Sequence, residues 1–572
     1  MKRNNGEAAE QKLDKPWLPF LVIIAASALA HLWCLGSQFY LDDMVAIRDS
    51  EHVQSGRFWE MKFLAWSYLS YFIQFKSFGM SAAGFHAVNW LLHTAVACVL
   101  YAFGRDSVRE RWPAGVALFG AVMFAVHPLA SEIPNYVRTQ DLAWVTLFSL
   151  LAAWSLMRYL GEGGGWKLAG CAICIAGAAF SKGPGLFHAL MATGTVGLAF
   201  FAPRHWDLLR RKIGWVAGAV VLLVAVLWLT GFLSSPLGVI QQWSNTRFIG
   251  HAYTISRVFW EFAWRSVIPV ALSSDHHIAE TLIPVGTHFL NIPDKVAMVS
   301  AAGMLALTGL SGLLVWRKST RLVGVCLFLY IATILFRVFY LIPEFMPEYR
   351  IYPGLPWFCL GAAIALTSGW KWLFTTVSPL VPAVVLIGMF IALSAKRSFL
   401  WHDLDRLMAN VLQQYPAQGR AIWELHDHDV AAGNWQALID RQEQVWPEVR
   451  RKFIASLSKL APARELPSGH FSLAEVACTG RYAIAVAHAK SPAEGLRVID
   501  SLEKYMLALR IDPTTNATHW LNFNRDKARV LETAGNYQAA LDCLKPKKNQ
   551  PQPWPRDFAR ISKKLAAVKA SP

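Results

Sequence analysis

Long apolar runs recur along this chain and constrain its fold more than any other feature. Crossing a ~30 Å hydrocarbon core takes about 20 largely uncharged residues. Runs of this kind lie near 17–36, 85–103, 114–127, 142–160, 167–181, 185–202, 213–233, 296–316, 322–343, 351–369 and 373–395. Inside lipid each backbone polar group has to be satisfied within its own segment, so spans of this length fold as helices. With 54% hydrophobic residues, 16% charged and a mean hydropathy of +0.32, the 572-residue chain is too apolar for a soluble enzyme. The expected fold is an all-α polytopic membrane protein with about eleven transmembrane helices. The run 167–181 is short and follows Gly163-Gly164-Gly165, so its ends are the least defined. Ser27-Ala28-Leu29-Ala30 has the small residues of a cleavage site, but the apolar run continues to Gly36, and an uncleaved first helix is expected.

A formal charge of +17 would suggest nucleic acid for a soluble protein. Here basic loops account for it, and no nucleic-acid partner is expected. One set of loop ends carries Lys2, Arg3, Lys12 and Lys15, then Arg105, Arg109 and Arg111, then Arg158 and Lys167. It continues with Arg204, Arg210, Arg211 and Lys212, and ends with Arg317, Lys318 and Arg321. The alternate loops are longer and poorer in Lys and Arg. The positive-inside rule puts the first set, and the N-terminus, in the cytoplasm. An odd number of spans then puts everything after about residue 396 outside. The 25 Trp and 33 Phe suit interfacial belts and a sugar- or lipid-contacting surface equally well. Cys171 and Cys174 have CxxC spacing inside an apolar run with no cation nearby, which fits helix packing. Cys478 and Cys543 lie outside the spans and are too few to form a disulfide framework.

The outer loops hold the unusual residues. Asp42 and Asp43 are adjacent carboxylates just after the first span. A carboxylate at bilayer depth costs roughly 2.5–3.5 kcal/mol even on lenient scales, so the pair belongs in water or in a lined cavity. On these two residues alone, an ordinary polar loop start and a functional site both remain open. The loop 37–84 continues with Phe58, Trp59, Phe63, Trp66, Tyr68, Tyr71 and Phe72, an aromatic amphipathic stretch expected in the membrane interface. His127, Glu132, Asn135, Arg138, Gln140 and Asp141 follow the third span. Lys182 stands in a turn of almost no length between two spans. Arg247, Arg257, Glu261, Arg265, Asp275, His276 and His277 occupy a later outer loop, and Glu344, Glu348 and Arg350 precede the tenth span. Each could be a solvated loop charge or, for Arg and Lys, a snorkelling helix end. Together they gather acid, base and cation on one membrane face, beside spans able to wall a cavity. No metal site is expected, because His276-His277 lacks further ligands at helical spacing.

From about residue 396 the chain becomes charged and helical, without another spanning run. The expected domains are therefore a membrane catalytic part, 1–395, and a soluble helical part, 396–572. Ala528, Leu531, Gly535, Tyr537 and Ala540 match the spacing of a tetratricopeptide unit. Ala508-Leu509-Arg510-Ile511-Asp512-Pro513 fits the end of a preceding unit, and Trp423, Leu425, Gly433-Asn434-Trp435 and Leu438 form a more degenerate copy. An unrelated small helical bundle is the other reading.

Tyr40-Leu41-Asp42-Asp43-Met44-Val45-Ala46-Ile47 resembles the start of the first outer loop of GT-C glycosyltransferases, most of all the O-mannosyltransferases with transmembrane and tetratricopeptide repeats. Phe85-His86-Ala87-Val88-Asn89-Trp90-Leu91-Leu92-His93 is similar to the second span of that family. Phe124-Ala125-Val126-His127-Pro128 with Glu132 and Arg138 resembles its second outer loop, and Phe180-Ser181-Lys182 a further motif. The resemblance covers the order of motifs through the membrane part. Bacterial members include transferases that modify type IV pilins. The chain departs from the family at Val137-Arg138-Thr139-Gln140-Asp141, after Lys182, and in the extra residue of Glu348-Tyr349-Arg350. Those departures bear on the sugar.

The resemblance implies a polyprenyl-phosphate-linked sugar as donor and a protein hydroxyl, such as that of a pilin, as acceptor. It also implies a bacterial inner membrane, with the helical tail in the periplasm. Asp42 is the implied general base, with Asp43 in support and Glu132 as a further catalytic carboxylate. Arg138, Lys182 and Arg350 are the implied contacts of the donor phosphate, with His127, Asp141 and Glu348 nearby. A carboxylate takes the acceptor proton, and fixed cations meet the charge that builds on the leaving phosphate. Such a single displacement inverts the anomeric carbon. A monophosphate leaving group surrounded by cations needs no cofactor or metal, whereas a diphosphate more often would. A lipid or glycan acceptor is the alternative within the class. A transporter would call for broken helices in two repeated halves, and no such symmetry shows in the sequence. A membrane-anchored scaffold would explain the tail and leave the outer carboxylates without purpose.

Overall fold

The computed structural model describes residues 15–108, 112–201, 245–276, 283–285, 288–290, 295–339, 346–373, 378, 380–415, 419–444, 470–508, 517–545 and 554–570. The expected span 213–233 lies outside them, as do Lys2, Arg3, Lys12, Arg109, Arg111, Arg204, Arg210, Arg211, Lys212, His277, Glu344 and the segment 509–513. Apart from two three-residue strands, Ile283–Val285 and His288–Leu290, the described secondary structure is helical. The chain divides into two compact units, one running to Leu404 and the other from Asp405. Residue 395 falls inside the helix Leu380–Leu400.

Among the described residues, six helical segments are long and apolar enough to cross a membrane: Leu18–Gly36, Ala82–Val108, Val137–Glu162, Lys295–Trp316, Arg321–Val338 and Leu380–Leu400. A seventh crossing exists if Ala114–Ala125 and Pro128–Asn135, bent by 51°, are taken as one broken span. Six or seven of the expected eleven or so crossings therefore meet this length among the described residues, and two further expected spans there are shorter. Gly165–Ser181 and Gly185–Phe200 have 17 and 16 residues, so at a rise of 1.5 Å each extends only roughly 24–26 Å. The expected span 351–369 begins late, at Leu355, because Glu348–Ile351 forms a separate 3₁₀ turn.

The first unit buries one continuous core, in which Val96, Leu100 and Phe103 meet Ala117, Ala121 and Phe124, with Ile331, Leu360 and Ala363. Small residues set the close approaches. A Cβ on Gly120 would stand 3.1 Å from the Leu360 backbone. Polar residues of the second long helix, Ala82–Val108, tie this core to the outer loops. His86, Asn89 and His93 recur at helical spacing, so they share one face. His86 Nδ1 is 2.9 Å from the Pro134 carbonyl, and Asn89 Nδ2 donates to the carbonyls of Ile133 at 2.7 Å and Tyr136 at 3.1 Å. His93 lies 2.9 Å from the Tyr352 hydroxyl and 3.1 Å from the Ala125 carbonyl.

The loop 37–84 folds as a π-helical turn at Met44–Arg48, short helices, and the helix Ala65–Phe78. Its inner face packs Phe39, Ile47, Val53, Tyr68 and Tyr71 against Phe85 and Val137. Trp59 and Ile73 stand more than half exposed, an outward apolar face of the kind an interfacial segment presents.

In the second unit, helices follow one another as close pairs. His470–Ala489 is followed by Pro492–Ala508, and Ala517–Thr533 by Tyr537–Cys543. Gly433 and Gly535 take left-handed conformations at φ +73° and +75° in the turns between helices. Arg481, 1% exposed, joins Asp427 at 2.7 Å and Asp526 at 2.5 Å, a buried pin for this unit. All eight cysteines are free thiols, including Cys478 and Cys543.

Candidate active site

Leu41 brings the two aspartates into place. It adopts φ +53°, a left-handed conformation that costs a non-glycine residue roughly 1–2 kcal/mol. Such strain persists where the surroundings over-determine it. Directly after it, Asp42 is exposed and Asp43 is buried to 1%. Asp43 accepts hydrogen bonds from the backbone N–H groups of Arg138 at 2.6 Å and Val137 at 3.3 Å. Its carboxylate thus fixes the short turn Val137–Thr139. Burial pushes the Asp43 carboxyl up to about 8, against the opposing pull of these N–H donors. Asp42 donates its own backbone N–H to the Tyr136 hydroxyl at 3.3 Å and leaves its side chain on the surface.

The turn that Asp43 holds presents Arg138. Arg138 Nη1 lies 3.0 Å from Asp141 Oδ2, and Lys182 Nζ lies 2.8 Å from the same oxygen. Asp141 is fully buried, and its other oxygen has no hydrogen-bond partner among the described residues. One buried carboxylate therefore clamps two partly exposed cations from different helix ends. The Lys182 turn is itself anchored by Ser67, whose hydroxyl donates to the Ser181 carbonyl at 2.8 Å. Burial lowers the Lys182 ammonium below the usual lysine range; Arg138 and Arg350 push the same way, and Asp141 opposes them. Lys182 shares the Asp141 carboxylate with Arg138. Lys182 and Arg350 also lie near one aromatic ring, 5.8 and 5.7 Å from the Tyr349 ring centre.

Tyr136 joins the acid to the cations. Its ring meets Tyr349 edge to face at 6.1 Å and stacks on Trp401 at 5.6 Å. Tyr40, at the head of the aspartate motif, donates its hydroxyl to the His402 carbonyl at 2.8 Å.

Glu132 and Glu348 lie behind this surface. Glu132 is 1% exposed; Oε2 accepts from the Tyr349 N–H at 2.7 Å, and Oε1 lies 3.2 Å from Arg397 Nη2. Glu348 is fully buried, paired with the same Arg397 nitrogen and with His276 at 2.7 Å, and it accepts from the Ser273 N–H at 2.8 Å. Burial raises the Glu348 carboxyl, but Arg397 and His276 outweigh it and hold the group below its ordinary value. Each oxygen of Glu132 thus has one partner, which leaves further acceptor sites on the carboxylate. His127 is placed likewise. Its Nδ1 accepts from the Leu129 N–H at 3.2 Å, Nε2 lies 3.0 Å from the Ser266 carbonyl, and the ring packs on Phe390. It is fully buried at the bend after Ala125.

Arg397, Tyr136 and Trp401 are participants that the sequence reading missed. A polar stripe on the last long helix was the available signal. Ser394, Arg397 and Ser398 recur at helical spacing in an otherwise apolar run, and polar groups there face protein rather than lipid. No group of three or more His, Cys, Asp or Glu residues suited to a metal occurs among the described residues.

A comparison with curated proteins finds similarity to a protein O-mannosyl-transferase of Caenorhabditis elegans, 25% identical over 150 residues. The matched region is 23% of this chain and 22% of that protein, so the chain spans less than a quarter of the relative it matches. No protein-family profile matches the chain. No solved structure matches it.

Proposed function

We propose that this chain is a membrane glycosyltransferase that moves a sugar from a polyprenyl-phosphate donor to a protein hydroxyl. The observation that carries this reading is the gathering of Arg138 and Lys182 on buried Asp141, with Lys182 and Arg350 near the Tyr349 ring, on a turn held by Asp43 directly after the exposed Asp42. A base next to a cluster of cations suits attack on a carbon that bears a phosphate leaving group. The similarity to a worm protein named a protein O-mannosyl-transferase agrees with it.

In the proposed reaction the acceptor oxygen attacks the anomeric carbon while its proton passes to the Asp42 carboxylate. The bond from that carbon to the phosphate oxygen breaks, and its electron pair leaves with the polyprenyl phosphate. The leaving group gains a negative charge, which Arg138, Lys182 and Arg350 meet at short range in a partly dried site. The sugar inverts, since attack and departure occupy opposite faces. Asp43 keeps Arg138 in position, and Tyr136 and Tyr349 supply flat surfaces of the kind sugars pack against. The site lies on the outer face of the membrane, the second unit helps to receive the protein acceptor, and a pilin-like Ser or Thr is a suitable acceptor.

Mass spectrometry of exported proteins from cells with and without this chain tests the reading. Glycopeptides that vanish with the chain support it. An unchanged exported glycoproteome with altered lipid or glycan sugars moves the acceptor out of the protein class.

A further inference from the structure

The last long helix carries a polar stripe that the proposed chemistry does not use. Ser394 donates to the Val126 carbonyl at 2.8 Å, and Ser398 accepts from Asn135 Nδ2 at 2.9 Å. Between them Arg397, 6% exposed, reaches two acids that are far apart in the chain. Glu132 belongs to the loop that bears Arg138, and Glu348 is two residues before Arg350. The two acids approach the same Nη2 atom of Arg397. Glu132 then accepts from the backbone of Tyr349, whose ring Lys182 and Arg350 lie near. A single buried guanidinium thus ties the Arg138 loop to the Tyr349-Arg350 turn.

We infer that Arg397 is a positioning residue of the donor-phosphate site, holding Tyr349 and Arg350 against Lys182 and Arg138 through Glu132 and Glu348. It touches neither the reacting carbon nor the phosphate. Glu348 is pinned on its other side by His276 and the Ser273 N–H, so the turn has one well-defined place once Arg397 is present. Without Arg397, two buried carboxylates would face each other with less compensation, and the turn would move to relieve them. Arg350 would move with it. This inference rests on the donor-phosphate reading above.

The test is equilibrium binding of a polyprenyl monophosphate to purified, monodisperse protein. Arg397→Met and Glu348→Gln are each compared with wild type, alone and in an Arg350→Met background. The pair Arg397→Met with Glu348→Gln removes one uncompensated charge and serves if Arg397→Met alone does not fold. Each variant should weaken binding roughly ten- to a hundred-fold where Arg350 is present, the range expected for losing a charge-assisted contact. In the Arg350→Met background the same change should cost less than about twofold, because residues acting through one another are not additive. Arg397→Lys should restore part of the affinity. Unchanged affinity in the single variants, or equal weakening in both backgrounds, overturns the positioning role. Wild-type protein that fails to bind the lipid phosphate overturns the donor reading itself, and this inference with it.

Discussion

Asp43→Ala removes the acceptor of two backbone N–H groups, that of Arg138 at 2.6 Å and that of Val137 at 3.3 Å. A buried donor left without a partner costs about 1–3 kcal/mol, so the turn that carries Arg138 should lose about 2–6 kcal/mol of local stability. Asp43→Asn should be milder. Its amide oxygen keeps the shorter bond, and only the longer one is replaced by an NH₂ facing the Val137 N–H, for a cost of about 1–3 kcal/mol. Asp42 is exposed, so Asp42→Asn should change stability by no more than about 0.5 kcal/mol. If Asp42 is the base, the same change should slow transfer by about 10²–10⁴-fold. Hydrogen exchange of the 137–139 amides reports the turn, and single-turnover sugar transfer reports the chemistry. The expected pattern is a normal turn with lost transfer for Asp42→Asn, and a loosened turn with partial transfer for Asp43→Asn. Lost transfer with an undisturbed turn in Asp43→Asn, beside near-normal transfer in Asp42→Asn, would refute the assignment and move the base by one residue.

Asp141→Asn should leave Arg138 and Lys182 without their shared anion, raising the apparent donor requirement roughly ten-fold or more with a smaller change in turnover, measured as KM and kcat for the lipid donor. The Asp43 carboxyl has a raised pKa in the folded protein, so its contribution to stability is complete below the ordinary Asp value of about 3.9 and is lost as pH rises through about 8. Thermal midpoints should therefore fall more steeply between about pH 4 and pH 8 for wild type than for Asp43→Asn. Reporter fusions in the loop 104–113 and near Trp401 should give opposite signals, and matching signals would place the second unit and Asp42 on different sides. Truncation after Trp401 should weaken transfer to a protein acceptor and leave lipid-phosphate binding intact; lost binding would assign the second unit to the donor site.

Chemistry was easier to read from the sequence than the supports beneath it. Asp42, Arg138, Lys182 and Arg350 stand out because they gather beside apolar spans on one expected membrane face, where any one of them alone would read as a solvated or snorkelling charge. Their convergence involves turns only a few residues long, which limits where each side chain can go. The division of labour between Asp42 and Asp43 was open, because neighbouring carboxylates look alike until Leu41 takes its left-handed conformation. Arg397 was hidden for another reason. It ends an apolar helix, where a basic residue ordinarily snorkels, and its partners are 265 and 49 residues away. Glu132 and His127 came with the resembled motifs, and their contacts to the Tyr349 N–H, Arg397, the Leu129 N–H and the Ser266 carbonyl were not legible in them. The expected spans at Gly165–Ser181 and Gly185–Phe200 have the composition of a membrane helix and fall short of its usual length.

Reconstituted transfer tests the proposed activity most directly. Purified protein in vesicles would be given polyprenyl-phosphate sugars, mannose first, with a Ser/Thr acceptor peptide, and the linkage configuration read by nuclear magnetic resonance. Wild type is expected to form an O-linked glycopeptide with inverted configuration and to release polyprenyl phosphate in equal amount, while Asp42→Asn binds donor and forms almost no product. Product with retained configuration, or equal transfer by the Asp42→Asn protein, would contradict a single displacement with Asp42 as base.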